Sequence, residues 1–276
     1  EQTIEIHETA FATSALRAFD EELSQDTFSK LWNNPKTALW VKEYLNKVSS
    51  EETYTHCLRN RFFLDKFKEL AAEREIEVLI NFGSGFSMYP FLLDEKLVHI
   101  EIDKAEVVEY KKQQLNQWQK NNILPQRDIH FIGVDFSKDY KDSLLTQIIE
   151  IKSNKPTFVL LEGVLFFLNR KDTNKLFSFF DLIQEQGDFT GCVSFKENVK
   201  DTLAFKNLIR FFNQKVVKTS ESDYQTIEDK FYQKLSNYTM IDHQDYFSLS
   251  KKYNHTVRQD KEMILNENFY ILQKNR

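Results

Sequence analysis

The residues with the clearest chemical meaning lie between Val78 and Asp103. An apolar run there ends in Gly83-Ser84-Gly85, and a second ends in Glu101 and Asp103, the latter eighteen residues beyond Gly85. Glycines at such a turn let backbone approach a ligand closely, and a carboxylate closing the next strand can accept both hydroxyls of a ribose. The third glycine of the dinucleotide fingerprint is absent, Met88 standing in its place. Two more apolar segments end in acids, Asp135 in Gly133-Val134-Asp135-Phe136 and Glu162 before Gly163. Acids closing three successive strands suit a positively charged ligand rich in hydroxyl and amino donors. They would sit badly against a pyrophosphate, which favours helix N-termini and cations. At any one of these positions, an acid that is solvated or caps the next helix would give the same pattern.

These residues converge only if their segments are strands of one sheet. The sequence predicts strands at Glu77–Phe82, Leu97–Ile102, Ile129–Val134, Thr157–Leu161 and Thr190–Phe195, with helices at Lys104–Lys120, Tyr140–Ile151 and Lys171–Glu185 between them. Such alternation implies a parallel sheet with helices on both faces. Tyr238–Ile241 and Asn268–Leu272 add a last, antiparallel pair at the edge. The expected fold is therefore α/β: a doubly wound, mostly parallel, seven-stranded Rossmann-like sheet with an antiparallel edge strand. Residues 1–75 read as an N-terminal helical cap. Within it are a helix over Ala10–Leu23, a start at Pro35, and a capping box of Ser49 and Glu52 opening a helix that runs to about Glu73. Residues 76–276 form the core, with a helical lid insertion at about 197–236. There Phe205, Leu208, Ile209, Phe212 and Val216 recur at helical spacing, a face that packs on the sheet or covers a pocket.

Composition narrows the classes of function. The chain has 276 residues, 41% of them hydrophobic, with 25 phenylalanines, which is enough for a sizeable core. A net charge of −5 argues against a nucleic-acid backbone binder. The two cysteines, Cys57 and Cys192, provide neither a disulfide framework nor zinc spacing, and a reducing cytoplasm is the expected location. The longest apolar stretch, Phe158 to Leu168, is too short to span a bilayer, and no basic, apolar leader opens the numbered sequence. No nucleic-acid, membrane or metal partner is expected.

Six blocks in order resemble the leucine carboxyl methyltransferase and polyketide O-methyltransferase family. They are Thr9-Ala10 with Arg17-Ala18 and Asp20; Arg59-Asn60-Arg61-Phe62-Phe63 with Asp65; Gly83-Ser84-Gly85-Phe86; Glu101-Ile102-Asp103 with Lys111; Asp135-Phe136; and Glu162-Gly163-Val164-Leu165-Phe166-Phe167-Leu168. The resemblance covers most of residues 9–180 and implies S-adenosylmethionine as cofactor. It places Arg59 at the methionine carboxylate, Gly83 and Gly85 beside the methionine part, and Asp103 at the ribose diol. It also places Asp135 at the adenine amino group with Phe136 beside the ring, and Glu162 at the ammonium end. Arg59 and Arg61 would equally be ordinary surface residues of a long helix. After the glycine loop the family carries Asp-Thr-Arg, where this chain has Ser87-Met88-Tyr89. That change removes a carboxylate and an ionic anchor.

The resemblance implies methyl transfer to the carboxylate or hydroxyl of a small, polyketide-like molecule. A protein carboxyl acceptor and a degenerate, non-catalytic binding protein are the alternatives, and a nucleoside-binding oxidoreductase is disfavoured by the missing third glycine. An ionised carboxylate needs no base, whereas a hydroxyl benefits from one, most often histidine. The candidates are His243 and His255, beyond the lid, and His130, which falls in or beside a strand. The sequence leaves oligomeric state open.

Overall fold

Burial of the central strands on both faces decides the architecture. The computed structural model describes residues 4–5, 8–135, 138–217 and 224–275. The main sheet has seven strands: β1 Val78–Phe82, β2 Val98–Asp103, β3 Ile129–Gly133, β4 Thr157–Leu161, β5 Phe189–Phe195, β6 Tyr238–Asp245 and β7 Glu267–Lys274. The helices of seven residues or more are α1 Glu8–Arg17, α2 Pro35–Lys47, α3 Glu52–Arg74, α4 Ala105–Lys120, α5 Lys141–Lys152, α6 Arg170–Ile183, α7 Leu203–Lys215 and α8 Tyr246–Lys252. The sheet order is β3-β2-β1-β4-β5-β7-β6, parallel through the first five positions. β7 pairs antiparallel with both β5 and β6, so the last pair is antiparallel as expected, with β7 inserted inside the edge. A separate two-residue parallel pair joins Ile4–Glu5 to Val216–Val217.

Because successive strand residues face opposite sides, β1 feeds two cores. Val78, Ile80 and Phe82 pack with Leu144 and Ile148 of α5 and Leu176, Phe177 and Phe180 of α6. Leu79 joins Leu58, Phe62, Phe63 and Phe67 of α3 and Leu249 of α8 on the other face. The chain winds outward in both directions from the β1/β4 junction, and in open α/β sheets the crevice beyond the strand ends at that switch is where ligands bind.

Two local expectations are corrected. The segment Ala10–Leu23 is not one helix: α1 ends at Arg17, and Asp20 starts a short second turn by accepting from the Leu23 amide, since an aspartate capping new amides competes with continuation. The Ser49/Glu52 capping box does not form. Ser49 accepts from the Glu51 amide and donates to the Met263 carbonyl, while Glu52 is drawn to the phenol of Tyr44. Helix α2 does start at Pro35, with Asn34 accepting from the Thr37 amide. Helix α7 serves both purposes open to its apolar face: Phe205 and Phe211 pack in a cluster with Tyr44 and Phe195, and Leu208 and Phe212 also line the main cavity.

Gly191 of β5 sets how closely α3 lies on the sheet. A β-carbon there would sit 2.9 Å from ring atoms of both Phe63 and Phe158. Gly191→Ala should therefore lower stability by about 1–3 kcal/mol, the range for overpacking a core, read as an earlier urea midpoint at unchanged slope.

Candidate functional site

A cavity of about 650 Å³ opens beyond the carboxyl ends of β1 to β4. It brings together Arg59, Gly83, Gly85, Asp103, Asp135 and Glu162. Phe136 lies outside the described residues. His243 and His255 are not among the residues lining this cavity. His243 Nε2 lies 2.9 Å from Asn268 Oδ1 and its ring stacks on Tyr270, while His255 packs on Tyr54 near Glu51.

The glycine turn is shaped by β2. Gly83 and Ser84 donate their amides to the Ile102 carbonyl at 2.7 and 3.1 Å. Gly83 has φ +68°, and a β-carbon there would fall 2.0 Å from Val164 Cγ2, so the turn and the loop after β4 touch only because the position has no side chain. Asp103 accepts from Gly85 N and Lys104 N, each at 2.7 Å, one on each carboxylate oxygen. Burial pushes its carboxyl up; the amides of Gly85 and Lys104 oppose this, and the balance stays above the ordinary value. Each carboxylate oxygen has two acceptor sites, so one amide on each leaves capacity for a diol.

An ion pair lies beneath the turn. Lys111 Nζ is 2.6 Å from Glu101 Oε2, with both side chains wholly buried. Ser87 sits in the same layer, accepting from Asn81 Nδ2 at 2.9 Å and donating to the Ser84 carbonyl at 2.9 Å. The next two residues are equally well seated: Met88 Sδ accepts from the Trp32 indole at 3.1 Å, and the Tyr89 phenol donates to Glu162 Oε2 at 3.0 Å. Ser87-Met88-Tyr89 thus fills its position with satisfied, buried groups, and Tyr89 anchors Glu162.

Glu162 joins a charged cluster. Arg59 donates from Nε to Glu162 Oε1 and from Nη1 to Glu267 Oε1, both at 2.8 Å. Burial opposes charging of Glu162, but Arg17, Arg59 and Tyr89 hold its carboxyl below the ordinary value. Burial also opposes the charge on Arg59, and Glu267 and Glu162 more than offset it. Arg59 is therefore not an exposed helix residue, being only 4% exposed, as is Arg17, whereas Arg61 is partly exposed and pairs with Asp65 one turn on. Arg17 is the residue that sequence reading passed over. It lines the cavity, and its buried Nε and Nη1 have no hydrogen-bond partner. A buried, unpaired guanidinium is costly unless an anion completes it. Its place in the first matched block was the available signal.

Glu52 and Glu267 were also missed. Glu52 Oε2 accepts from Tyr44 at 2.7 Å, and burial together with the nearby Glu267 charge pushes its carboxyl up to about 8. Burial likewise raises Glu267, against the pull of Arg59.

The strand-end acids, the glycine turn and the unpaired Arg17 fit a ligand with a hydroxyl-rich sugar and an anionic group. Residues 9–181 match the family described as leucine carboxyl methyltransferase. A Thermobifida fusca protein assigned as a methyltransferase superposes with a TM-score of 0.67 at 10% identity, covering 100% of this chain and 96% of that one. A DUF574 family protein from Streptomyces avermitilis gives a TM-score of 0.60 at 8% identity, covering 96% and 97%. At such identities these two likenesses show the fold. No curated protein matches the sequence.

Two outcomes follow from the buried charges. Lys111→Met should cost about 3–5 kcal/mol by leaving Glu101 uncompensated; the double change with Glu101→Leu should recover most of this in urea unfolding. Glu52, flanked by Tyr44, His56, Arg59 and Glu267, binds its proton more tightly folded than unfolded. Its stabilising contribution is whole below about pH 4.5 and lost as pH rises through about 8. The midpoint of the unsubstituted protein should therefore fall relative to that of Glu52→Gln across that window, and a pH-independent difference would remove the assignment.

Proposed function

Because the chain belongs to the leucine carboxyl methyltransferase family, whose cofactor is S-adenosylmethionine, we propose that it methylates an oxygen of a small, polyketide-like molecule, a carboxylate or a hydroxyl. Bound S-adenosylmethionine supplies an electrophilic methyl group on a sulfonium. The protein's task is then position, charge and exclusion of water. In this reading Asp103 takes the ribose diol, Asp135 the adenine amino group with Phe136 beside the ring, and Gly83 and Gly85 lie along the methionine part. Glu162 receives the ammonium end. Arg59 keeps the methionine-carboxylate role that the resemblance implies, and Arg17, whose Nε and Nη1 have no partner, adds free donors where those of Arg59 are committed to Glu162 and Glu267.

The observation that carries a small acceptor is the aromatic wall of the cavity. Trp40, Tyr44, Phe166, Phe195, Leu208 and Phe212 wall part of the same cavity, and a mostly apolar pocket with a few placed polar groups is the usual form of a small-molecule site. The family description itself favours a second reading, a protein carboxyl acceptor. A cytoplasmic location belongs to this proposal. Cys57 and Cys192 are both free and buried, which suits a reducing compartment. No helix among the described residues is long and apolar enough to cross a membrane.

Calorimetry should show S-adenosylmethionine binding, and transfer of a labelled methyl to candidate acceptors should follow; a base-labile product is an ester, a stable one an ether. Hydrogen bonds to charged groups contribute about 1.5–3 kcal/mol each, so Asp103→Ala should weaken cofactor binding roughly ten- to hundredfold while circular dichroism stays native. Unchanged affinity would remove the ribose assignment, and no binding at millimolar cofactor would favour a non-catalytic role.

A further inference from the structure

The aromatic part of the cavity has a polar spot that the cofactor reading does not use. Tyr44, Phe166, Phe195, Leu208, Phe212 and Leu265 form one apolar cluster, and all six line the cavity. Glu52 and Glu267 line it with them, 4% and 7% exposed. Each engages one carboxylate oxygen, Glu52 Oε2 with Tyr44 and Glu267 Oε1 with Arg59. The other oxygen of each, Glu52 Oε1 and Glu267 Oε2, is buried with no hydrogen-bond partner. Glu52 is held protonated by burial and by Glu267, and its Oε2 accepts from Tyr44, so its free oxygen carries the proton and donates, whereas Glu267 Oε2 accepts; leaving the two unmet costs the desolvation of each.

We propose that these two oxygens receive the methyl acceptor, and that the acceptor is an apolar or aromatic molecule presenting a hydroxyl to them, not a carboxylate. The assignment rests on the S-adenosylmethionine reading, since it gives Arg17 and the strand ends to the cofactor. A carboxylate brought to the same place would set a second negative charge against Glu267, where Arg59 is already shared between Glu162 and Glu267. Like charges in a low-dielectric site repel strongly. A hydroxyl can donate to Glu267 Oε2 and accept from Glu52 Oε1 while its carbon skeleton lies on the rings. An ammonium would need excess negative charge. With Glu52 held neutral by burial and by Glu267, Arg17 and Arg59 balance Glu162 and Glu267, and no excess remains.

The test uses the full chain saturated with S-adenosylhomocysteine and a matched pair of probes, 2-naphthol and 2-naphthoate, titrated by calorimetry. The naphthol should bind at least tenfold more tightly than the naphthoate. Glu267→Gln, which removes one negative charge and supplies an amide donor, should raise naphthoate affinity at least tenfold and lower that of naphthol. Glu267→Ala, which removes the same charge, is the second variant should the first fold poorly and should likewise raise naphthoate affinity, whereas Glu52→Gln, which replaces one neutral donor by another, should leave the preference for naphthol in place. Naphthoate binding as tightly as naphthol, or neither probe binding to protein that holds S-adenosylhomocysteine, would overturn the acceptor assignment. Failure to take up S-adenosylhomocysteine itself would instead overturn the cofactor reading, and this one with it.

Discussion

The pairing of Arg59 holds the architecture and the site together. Its guanidinium lies on a helix of the N-terminal segment, yet its partners are Glu162, just past β4, and Glu267, at the start of β7, 103 and 208 residues away. A charge taken out of water is tolerated only where opposite charge and hydrogen bonds replace the solvent. Moving α3 away would strand Arg59 and two buried carboxylates at once. The helix is thereby fixed against the sheet by electrostatics as well as by Leu58, Phe62, Phe63 and Phe67. The N-terminal helices therefore complete the cavity that the sheet opens.

The same constraint runs through the floor of the site. Glu101 is neutralised by Lys111, Glu162 by Arg59 and Tyr89, and Asp103 is held by two backbone amides. Among the unmet buried atoms on residues that line the cavity are Arg17 Nε and Nη1 on the cationic side and Glu52 Oε1 and Glu267 Oε2 on the acidic side, together with Trp40 Nε1 and Ser84 Oγ. In a well-paired interior, unmet buried polar atoms that line a cavity mark where a ligand's own groups belong. The replacement of Asp-Thr-Arg by Ser87-Met88-Tyr89 fits within this logic. Its serine is absorbed into the layer around Lys111, its methionine under Trp32, and its tyrosine supplies the anchor on Glu162.

Much of this was legible in the chain. The strands β1 to β5 were read to within a residue or so at their ends, because apolar runs bounded by glycine, acid and helix signals are local properties. The Gly85/Asp103 pairing was legible too, since the spacing of strand, turn, helix and strand brings Gly85 N to Asp103. Local reading failed where a distant partner competed. Glu52 looked like half of a capping box, and Tyr44, on another helix, took its carboxylate instead. The second capped turn after α1 escaped because Asp20 had been read as one more polar residue of a longer helix.

The sequence by itself determined the order of elements, the glycine turn and the acids that close the strands. Periodicity and spacing encode which residues share a face and which end a strand. Only the tertiary structure decided which charges are paired. That Arg59 is already engaged while Arg17 is not, and that Glu52 and Glu267 each keep an idle oxygen beside aromatic walls, depends on contacts between residues scores of positions apart. Burial and partnership are properties of the packed chain, and they turn the same glutamates and arginines from surface decoration into a site.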